Sequence, residues 1–595
     1  MNMEVTSVSG RAEKLSETAS AIQVITQEDI RRSGATSLPQ ALRLASNLTV
    51  QQLDASEWSI SARGFTSPLA NKMLVLMDGR SVYSPLFAGV FWGVQDTLLA
   101  DIDQIEVISG PGATLWGANA VNGVINVTTK NSKDTQGLLV EGGGGTEISG
   151  LAGFRFGGLA GTNVSYRIYG KYLDRDGTVF ADGKDAINGN RMAQSGFRVD
   201  WQASSDDLVT VQGDIYEGRT DRAALADSVA DGGNVIARWT HTISDTSNFK
   251  LQFYFDRAHR NFETSYSDML DTYDVDFQHR FSMGERNDLV WGLGYRLIED
   301  DFVGTPTLAL APQQKSLQTF SGFVQDEIAL VKDRLHLTLG SKIEHNDYTG
   351  FEFQPSARLA WKITRQQLLW AAVSRAVRTP SRIDRDLFTP PVTTGSPGFD
   401  SETLIAYELG YRVQPHKRLS LSIATFYNDY DDIRNIEPND PLAPTGLIFS
   451  NGQEGESYGV EVTADFRVND WWRLRAGYTG MQVDVRTKSD RIDLNLSRGE
   501  AADSNHQFSL RTSLDLPGNL EFDAGFRWVS RITNLVAEVP DYAELDLRLA
   551  WRPHPNLELS IVGQNLLNNH HAEYGTLPGR QEIERSVYGK VLWRF

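Results

Sequence analysis

From Gly137 to Phe595 the chain is a succession of short segments in which apolar and polar side chains alternate. In residues 520–528 the even positions are Leu, Phe, Ala, Phe and Trp, whereas the odd positions are Glu, Asp, Gly and Arg. A period of two residues is typical of β-strands whose two faces meet different surroundings. Because the polar face carries charges of both signs and aromatic residues stand at strand ends, the pattern favours a transmembrane β-barrel with a wet lumen over a soluble sandwich.

The connections between these segments are of two alternating kinds. Ten are short and have turn chemistry, and they fall near residues 159–163, 202–207, 243–248, 282–288, 331–334, 362–367, 413–418, 467–471, 515–519 and 552–556. Eleven polar and generally longer ones fall near residues 146–150, 175–192, 219–233, 259–271, 298–315, 345–353, 376–402, 429–456, 484–503, 532–540 and 567–582. These connections join 22 strands, and short turns on one side with longer loops on the other are typical of outer-membrane barrels.

Composition agrees with a barrel and excludes several other classes of protein. The longest early apolar run, Met73–Met77, has the length of a buried strand and falls far below the roughly 20 residues of a spanning helix. The absence of Cys excludes disulfides, thiolate metal sites and thiol catalysis. A net charge of −19 argues against a nucleic-acid partner, which requires basic surface.

The segment before the barrel has a mixed α/β pattern. Strands are expected at Ala21–Ile25, Leu74–Met77, Ile105–Ile108 and Val124–Thr128. Thr26 with Asp29 predicts a helix start that Gly34 ends, and Ser37 with Gln40 predicts a capping box for a second helix.

A 22-stranded barrel has a lumen too wide for its own side chains to fill, and the α/β segment is of a size to close it. The predicted fold is therefore mainly β, a 22-stranded antiparallel transmembrane β-barrel with a small N-terminal α/β plug domain inside the lumen. Residues 1–18 form an N-terminal segment, 19–136 the plug and 137–595 the barrel.

Motifs along the whole chain then point to one family. The plug motifs are Ile60–Phe65 (ISARGF), Met73–Arg80 (MLVLMDGR), Ile105–Gly112 (IEVISGPG) and Leu115–Asn126 (LWGANAVNGVIN). The barrel motifs are Ser374–Ser381, Tyr407–Tyr411, Tyr458–Glu461, Asn565–Leu567 and the aromatic-ended last strand Val587–Phe595. In this order and spacing they resemble the TonB-dependent outer-membrane receptors and transporters.

The resemblance implies active transport across the outer membrane of a Gram-negative bacterium. Energy would come from the inner-membrane complex through TonB, which would bind an N-terminal handle formed by Glu4, Val5, Thr6, Ser7 and Val8. The expected surroundings are outer-membrane lipid and lipopolysaccharide, and the expected state is a monomer. Because the chain opens on the polar residues Met1–Glu4 without a signal peptide, we expect the sequence to be a mature form.

The resemblance also implies an ionic lock between plug and barrel. The matching residues are Arg63 in the plug and Glu408 and Glu461 in the barrel. The family usually has a second plug arginine before the Gly-Pro pair, where this chain has Ser109. We therefore expect a reduced lock, in which one arginine faces two carboxylates.

Candidate substrate contacts lie where plug loops meet extracellular loops. The plug candidates are Trp58, Tyr83, Phe87, Phe91 and Trp92, because aromatic loops suit a large and partly apolar ligand. Arg378 and Arg382 of the 376–402 loop would meet an anionic chelate. The alternatives are that the aromatic residues pack against the barrel wall and that Asp384 and Asp386 neutralise the arginines.

The favoured cargo is a ferric siderophore or a similar small-molecule metal chelate. Cobalamin, copper and an oligosaccharide are the alternatives within the same fold. The rival functions are a passive or ligand-gated porin and a surface receptor that binds without transport. No catalytic arrangement stands out in the sequence, so neither an enzyme nor a resident cofactor or metal is expected.

Overall fold

The computed structural model describes residues 3–223, 226–262, 264–305, 308–389, 393–439, 446–494, 503–534 and 537–595. Before Gly137 its helices and strands are β1 (Glu4–Val5), β2 (Glu13–Lys14), β3 (Ala21–Thr26), α1 (Gln27–Ser33), α2 (Leu38–Leu42), β4 (Thr49–Gln52), β5 (Trp58–Ser61), β6 (Met73–Met77), β7 (Arg80–Ser81), β8 (Ile102–Ser109), α3 (Ala113–Trp116) and β9 (Gly123–Thr129). Short 3-10 helices lie at Trp92–Val94, Leu99–Asp101 and Ser132–Thr135.

From Gly137 onward the structure is almost entirely strand. The elements are β10 (Gly137–Gly145), β11 (Ile148–Ala160), β12 (Val164–Arg175), β13 (Val179–Phe180), β14 (Asn190–Gln202), β15 (Asp207–Thr220), β16 (Ser228–Ser244), β17 (Ser247–Phe262), β18 (Tyr266–Met283), β19 (Asn287–Gly304), β20 (Gln314–Val331), β21 (Leu335–Asn346), β22 (Gly350–Thr364), β23 (Gln367–Arg378), α4 (Arg382–Asp386), β24 (Phe388–Thr389), β25 (Thr393–Thr394), β26 (Glu402–His416), β27 (Leu419–Pro438), β28 (Leu447–Asn469), β29 (Trp472–Thr487), β30 (His506–Leu516), β31 (Leu520–Val529), β32 (Ile532–Thr533), β33 (Glu538–Val539), β34 (Tyr542–His554), β35 (Leu557–Gln564), β36 (His570–Ala572), β37 (Gln581–Glu584) and β38 (Ser586–Arg594).

The long strands form one closed antiparallel barrel. The first and last barrel strands, β10 and β38, pair with Val140 opposite Trp593 and Gly142 opposite Val591. β23 pairs directly with β26, so the hairpin of β24 and β25 stands beside the wall. Within the described residues the wall has 22 strands, and the predicted fold class is confirmed.

Burial in the wall is inverted relative to a soluble protein. On β34, Leu549 and Trp551 are each 48% exposed, whereas Arg548, which directly precedes Leu549, is 3% exposed. The apolar side chains thus face outward, and the charged side chain faces the lumen and the plug. None of the described helices combines the length and the apolar character needed to cross a bilayer.

The ten short turns lie where the sequence predicts them, but some predicted loops are much shorter. The connection expected at 259–271 is reduced to 263–265, and the one at 429–456 is mostly strand of β27 and β28. Cross-strand packing accounts for the longer strands, as where Tyr266 stacks on Phe302 with ring centroids 5.3 Å apart. Residues 440–445 lie outside the described part of the chain.

The plug is built on a five-stranded sheet in the order β3-β8-β9-β6-β7, in which β6 and β9 run parallel. Thr26 and Asp29 form the predicted capping box of α1, and Gly34 ends the helix in the left-handed conformation with φ 74°. The predicted capping box of α2 is wrong, because the Ser37 side chain makes no cap hydrogen bond. Gln40 Oε1 instead accepts hydrogen bonds from the N and Oγ1 atoms of Thr36, both at 2.9 Å.

The plug lies inside the barrel, and buried ion pairs join it to the wall. Asp101 of the plug is 1% exposed and contacts Arg155 at 2.6 Å and Arg167 at 3.3 Å, both on barrel strands. The plug therefore fills the lumen through charged as well as apolar contacts.

Candidate functional site

The N-terminal handle is docked on the plug. Val5 of β1 pairs with Glu13 of β2, and Val5 and Val8 are buried against the plug, whereas Glu4 is exposed. The Glu106 carboxylate of β8 accepts hydrogen bonds from Thr6 N at 3.1 Å and from Ser7 N and Oγ at 2.9 and 2.5 Å. The segment must leave these contacts before it can pair with another strand.

Two side chains of the plug complete the dock. Trp116 Nε1 donates to Ser7 O at 2.8 Å, and Asn126 Nδ2 donates to Ser7 Oγ at 3.0 Å. Neither Glu106 nor Trp116 was identified from the sequence as a handle contact, because about 100 residues separate them from it.

Arg63 lies where the predicted lock requires it. Its side chain is fully buried, Nη1 lies 2.9 Å from Glu408 Oε1, and Nε donates to Glu461 Oε1 at 3.1 Å. The guanidinium also lies over the Phe426 ring, 4.4 Å from its centroid. Although burial alone would lower it, the two carboxylates raise the pKa of Arg63 above its ordinary value.

The surroundings of Ser109 contain a cation that the sequence did not reveal. The Ser109 hydroxyl accepts a hydrogen bond from Asn47 Nδ2 at 2.7 Å. Arg358 of β22 donates to Pro111 O at 3.2 Å and to Val8 O at 3.4 Å, and it interacts electrostatically with Glu408. A barrel arginine thus stands on the acidic side of the lock.

The two candidate arginines of the 376–402 loop are enclosed in ion pairs. Arg378 contacts Asp384 and Glu402, each at 2.7 Å. Arg382 contacts Asp300 at 2.5 Å and Asp386 at 2.6 Å. Both side chains are fully buried, so neither guanidinium is open to a ligand in this conformation.

The same loop is folded over the apex of the plug. Arg382 N donates to Pro85 O at 2.8 Å, and Ile383 N donates to Leu86 O at 3.0 Å. A further ion pair joins Lys72 of the plug to Glu402, and Lys72 also lies 4.6 Å from the Phe65 ring centroid. The loop and the plug apex are therefore one connected surface.

The five aromatic candidates differ in exposure. Trp58 and Trp92 belong to the plug core, and Phe87 is buried against Phe302 and Leu310 of the barrel side. Phe91 is half-buried and meets Phe87 edge-on, with centroids 4.8 Å apart. Tyr83 is half-buried, and burial raises its pKa to about 12.

The predicted site residues therefore fall into separate environments. Tyr83 and Phe91 keep exposed surface, while the other aromatic candidates and both arginines are packed or paired. Their roles in ligand binding stay predictions.

One further carboxylate covers the Arg-Gly-Phe loop. Asp503, at the end of the 484–503 connection, accepts hydrogen bonds from Phe65 N at 2.9 Å, Thr66 N at 3.2 Å and Thr66 Oγ1 at 2.5 Å. Burial raises the pKa of Asp503 to about 6. No pattern in the amino-acid sequence indicates this contact.

A closed barrel with a lipid-facing outside and a folded plug inside defines the class of plugged outer-membrane receptors. Family comparison gives the same answer, since residues 131–566 match the TonB dependent receptor-like β-barrel and residues 14–124 match the TonB-dependent receptor plug domain. The chain belongs to the TonB-dependent receptor family.

Individual relatives are distant. The chain is 24% identical over 570 residues to the iron-regulated outer membrane virulence protein of Vibrio cholerae, covering 88% of this chain and 81% of the relative. It is 29% identical over 196 residues to the vitamin B12 transporter BtuB of Vibrio vulnificus, covering 33% of this chain and 31% of the relative. The crystal structure of a mutant of the ferric enterobactin receptor of Pseudomonas aeruginosa matches with a TM-score of 0.79 at 17% identity, covering 98% of this chain and 99% of that one.

Proposed function

We propose that the protein imports a scarce substrate, a ferric siderophore or a similar metal chelate, across the Gram-negative outer membrane with energy delivered by TonB. The observation that carries the proposal is the docked handle, a short strand-forming segment held to the plug by reversible hydrogen bonds. Its β-strand backbone suits addition to a partner sheet once it is released. The names of the relatives support iron as the cargo, and cobalamin, copper and oligosaccharides are the alternatives.

The aromatic and arginine candidates would act in two stages. Tyr83 and Phe91 offer exposed surface to an arriving ligand, since both are half-buried at the plug apex. Trp58, Phe87 and Trp92 would be reached only after the packing around them loosens. Arg378 and Arg382 would couple ligand arrival to the plug through the loop that lies on Pro85 and Leu86.

The lock of Arg63 with Glu408 and Glu461 would hold the plug while the handle is pulled. A buried ion pair that loses one partner is strongly destabilising, so this contact resists separation of plug and wall. The working unit would be a monomer in outer-membrane lipid and lipopolysaccharide, with the inner-membrane energising complex as its remote partner.

The test uses a bacterial strain that lacks the gene and is complemented with variants. Growth and uptake are measured on separate ferric siderophores, cobalamin, copper and oligosaccharides. Deletion of residues 1–10, or Val5→Pro, should abolish uptake of the cargo, since Pro removes a backbone donor that strand addition needs. Val5→Ile is the matched control and should support normal uptake.

Each other outcome identifies a rival. Uptake that survives Val5→Pro and collapse of the proton-motive force would identify a passive or ligand-gated porin. Cell-surface binding of a ligand that the unmodified protein never imports would identify a receptor without transport.

A further inference from the structure

A cavity separates α1 and α2 of the plug from the lumen face of β29, β30, β31 and β34. Among the described residues its lining includes seven arginines and three aspartates. On another side of the plug, a second cavity is lined by Lys250, Arg296 and Lys342 together with four carboxylates. The chain as a whole has a net charge of −19, so the excess of arginine in the first cavity is a local feature.

The strand register places like charges side by side on this wall. Arg475 of β29 lies directly opposite Arg511 of β30. Arg527 of β31 lies opposite Ser509. It is two residues from Gly525, the β31 residue that faces Arg511. Like charges in cross-strand pairs are destabilising unless an anion compensates them.

Carboxylates of the protein pair with six of the seven arginines. Arg32 pairs with Asp515 and Asp523, Arg473 with Asp465, and Arg548 with Glu521, Asp523 and Glu558. Arg475 pairs with Asp29 of the plug, and Arg43 and Arg527 share the single carboxylate of Glu573 at 2.6 and 3.0 Å. Arg511 donates to Leu44 O at 2.9 Å, and among the described residues no carboxylate oxygen lies within 4.0 Å of its guanidinium.

Unused donors and like-charge repulsion mark the same place. The Nε atoms of Arg43 and Arg527 are buried and have no hydrogen-bond partner among the described residues. Burial and the neighbouring charge of Arg527 lower the pKa of Arg43. Asp546 also lines the cavity. Arg511 has no ion pair among the described residues, and Asp29 and Asp465, which pair with other arginines, attract it only from a distance.

We propose that this cavity is an anion-binding site, and that a negatively charged cargo passes the plug along the wall of Arg475, Arg511 and Arg527. The transit half of the proposal rests on the proposed import function, whereas the binding half does not. Guanidinium groups bind carboxylate and phosphate oxygens through paired charge-assisted hydrogen bonds. Arg475 and Arg511 lie at one level of the wall and Arg527 lies two residues further along, so the three arginines span about 7 Å along the strands.

The absence of native cysteine makes the test direct. The full-length Ser509→Cys variant is purified in detergent, and its thiol is reacted with an anionic sulfonatoethyl and a cationic trimethylammonioethyl methanethiosulfonate. Both rates are normalised to those of a free small thiol. Ser321→Cys, in the second cavity beside the carboxylates, is the matched control.

A local potential of about one kT would favour the anionic reagent by about sevenfold at Ser509→Cys. The preference should fall with added salt and with Arg511→Gln in the same background, and it should be absent from Ser321→Cys. Pyrophosphate, compared with chloride at equal ionic strength, should slow modification by a neutral reagent at Ser509→Cys only.

The proposal is overturned if the ratio of anionic to cationic reagent rates is the same at Ser509→Cys and Ser321→Cys, or if Arg511→Gln leaves that ratio unchanged. A lack of protection by pyrophosphate would also overturn it. Heat-modifiable gel mobility verifies that each variant is folded. Because labelling requires no transport, a failed import assay and a failed anion site give different results.

Discussion

Removal of the Glu106 charge should release the handle without unfolding the plug. The carboxylate accepts hydrogen bonds from the backbone N–H groups of Thr6 and Ser7 and from the Ser7 hydroxyl. Glu106→Gln keeps the size of the side chain but replaces two charged acceptor oxygens by one neutral oxygen, so the hydrogen bonds to the handle become fewer and weaker. At about 1–3 kcal/mol for each charge-assisted hydrogen bond, docking should weaken by about 2–4 kcal/mol. The ratio of undocked to docked handle should then rise about 30- to 1000-fold.

A nitroxide at Glu4→Cys reports this change, because Glu4 is exposed and no other thiol is present. In the parent the spectrum should be dominated by an immobile component, and Glu106→Gln should make the mobile component prominent. Glu17→Gln is the control, since that carboxylate contacts Lys362 and, among the described residues, accepts no hydrogen bond from the handle. An unchanged spectrum in Glu106→Gln, or an equal change in both variants, would refute the assignment of Glu106 as the anchor.

Three further predictions concern the lock and its cover. Arg63→Met leaves the carboxylates of Glu408 and Glu461 buried without their plug cation, so the plug should lose about 3–5 kcal/mol of stability in urea unfolding, and Glu408→Gln in the same background should restore part of it. Gly110→Ala should cost about 1–3 kcal/mol in the same assay, because φ is +96° and the added Cβ would lie 2.6 Å from Arg63 Nη1, whereas an unchanged midpoint would contradict the close packing. The pKa of Asp503 is about 6 when this residue is buried on the Arg-Gly-Phe loop of the plug, and it returns to its lower ordinary value when the contact opens. Protonation therefore favours the closed contact, which becomes more stable as pH falls through 6 and less stable as pH rises, by about 1–3 kcal/mol in total. Hydrogen exchange at the Phe65 amide, corrected for intrinsic rates, should therefore be slower at pH 5 than at pH 7.5, and Asp503→Asn should remove the difference.

The barrel could be predicted from sequence because its signals are local. Alternation within 520–528 shows which residues face the lumen, and turn residues such as those in 515–519 mark the strand ends. Strand ends cannot be predicted where backbone pairing with a neighbour extends a strand beyond its alternating pattern, as in the 259–271 connection. It also fails where neighbouring residues compete, since Thr36 takes the Gln40 side chain that Ser37 was expected to share.

The candidate site depends on contacts that sequence spacing does not encode. Arg378 and Arg382 were identified as candidate anion ligands, but the carboxylates that enclose them include Asp300 and Glu402, which come from other strands. The wall of Arg475 and Arg511 appears only once the register of β29 against β30 is known. Arg63, Glu408 and Glu461 could be paired in advance because the family resemblance, not the spacing, relates them.

The strand β8 carries the handle anchor and the lock region within a few residues of each other. Glu106 accepts hydrogen bonds from the handle, Ser109 contacts Glu461, and Gly110, directly after the strand, lies against Arg63 and Glu408. Only three residues of extended backbone separate Glu106 from Gly110, so a force that displaces Glu106 through the handle would also displace the backbone beside Arg63. The force needed to separate this edge of the plug from the barrel is then set by the weakest of these contacts. A few of them can break while the plug sheet stays folded.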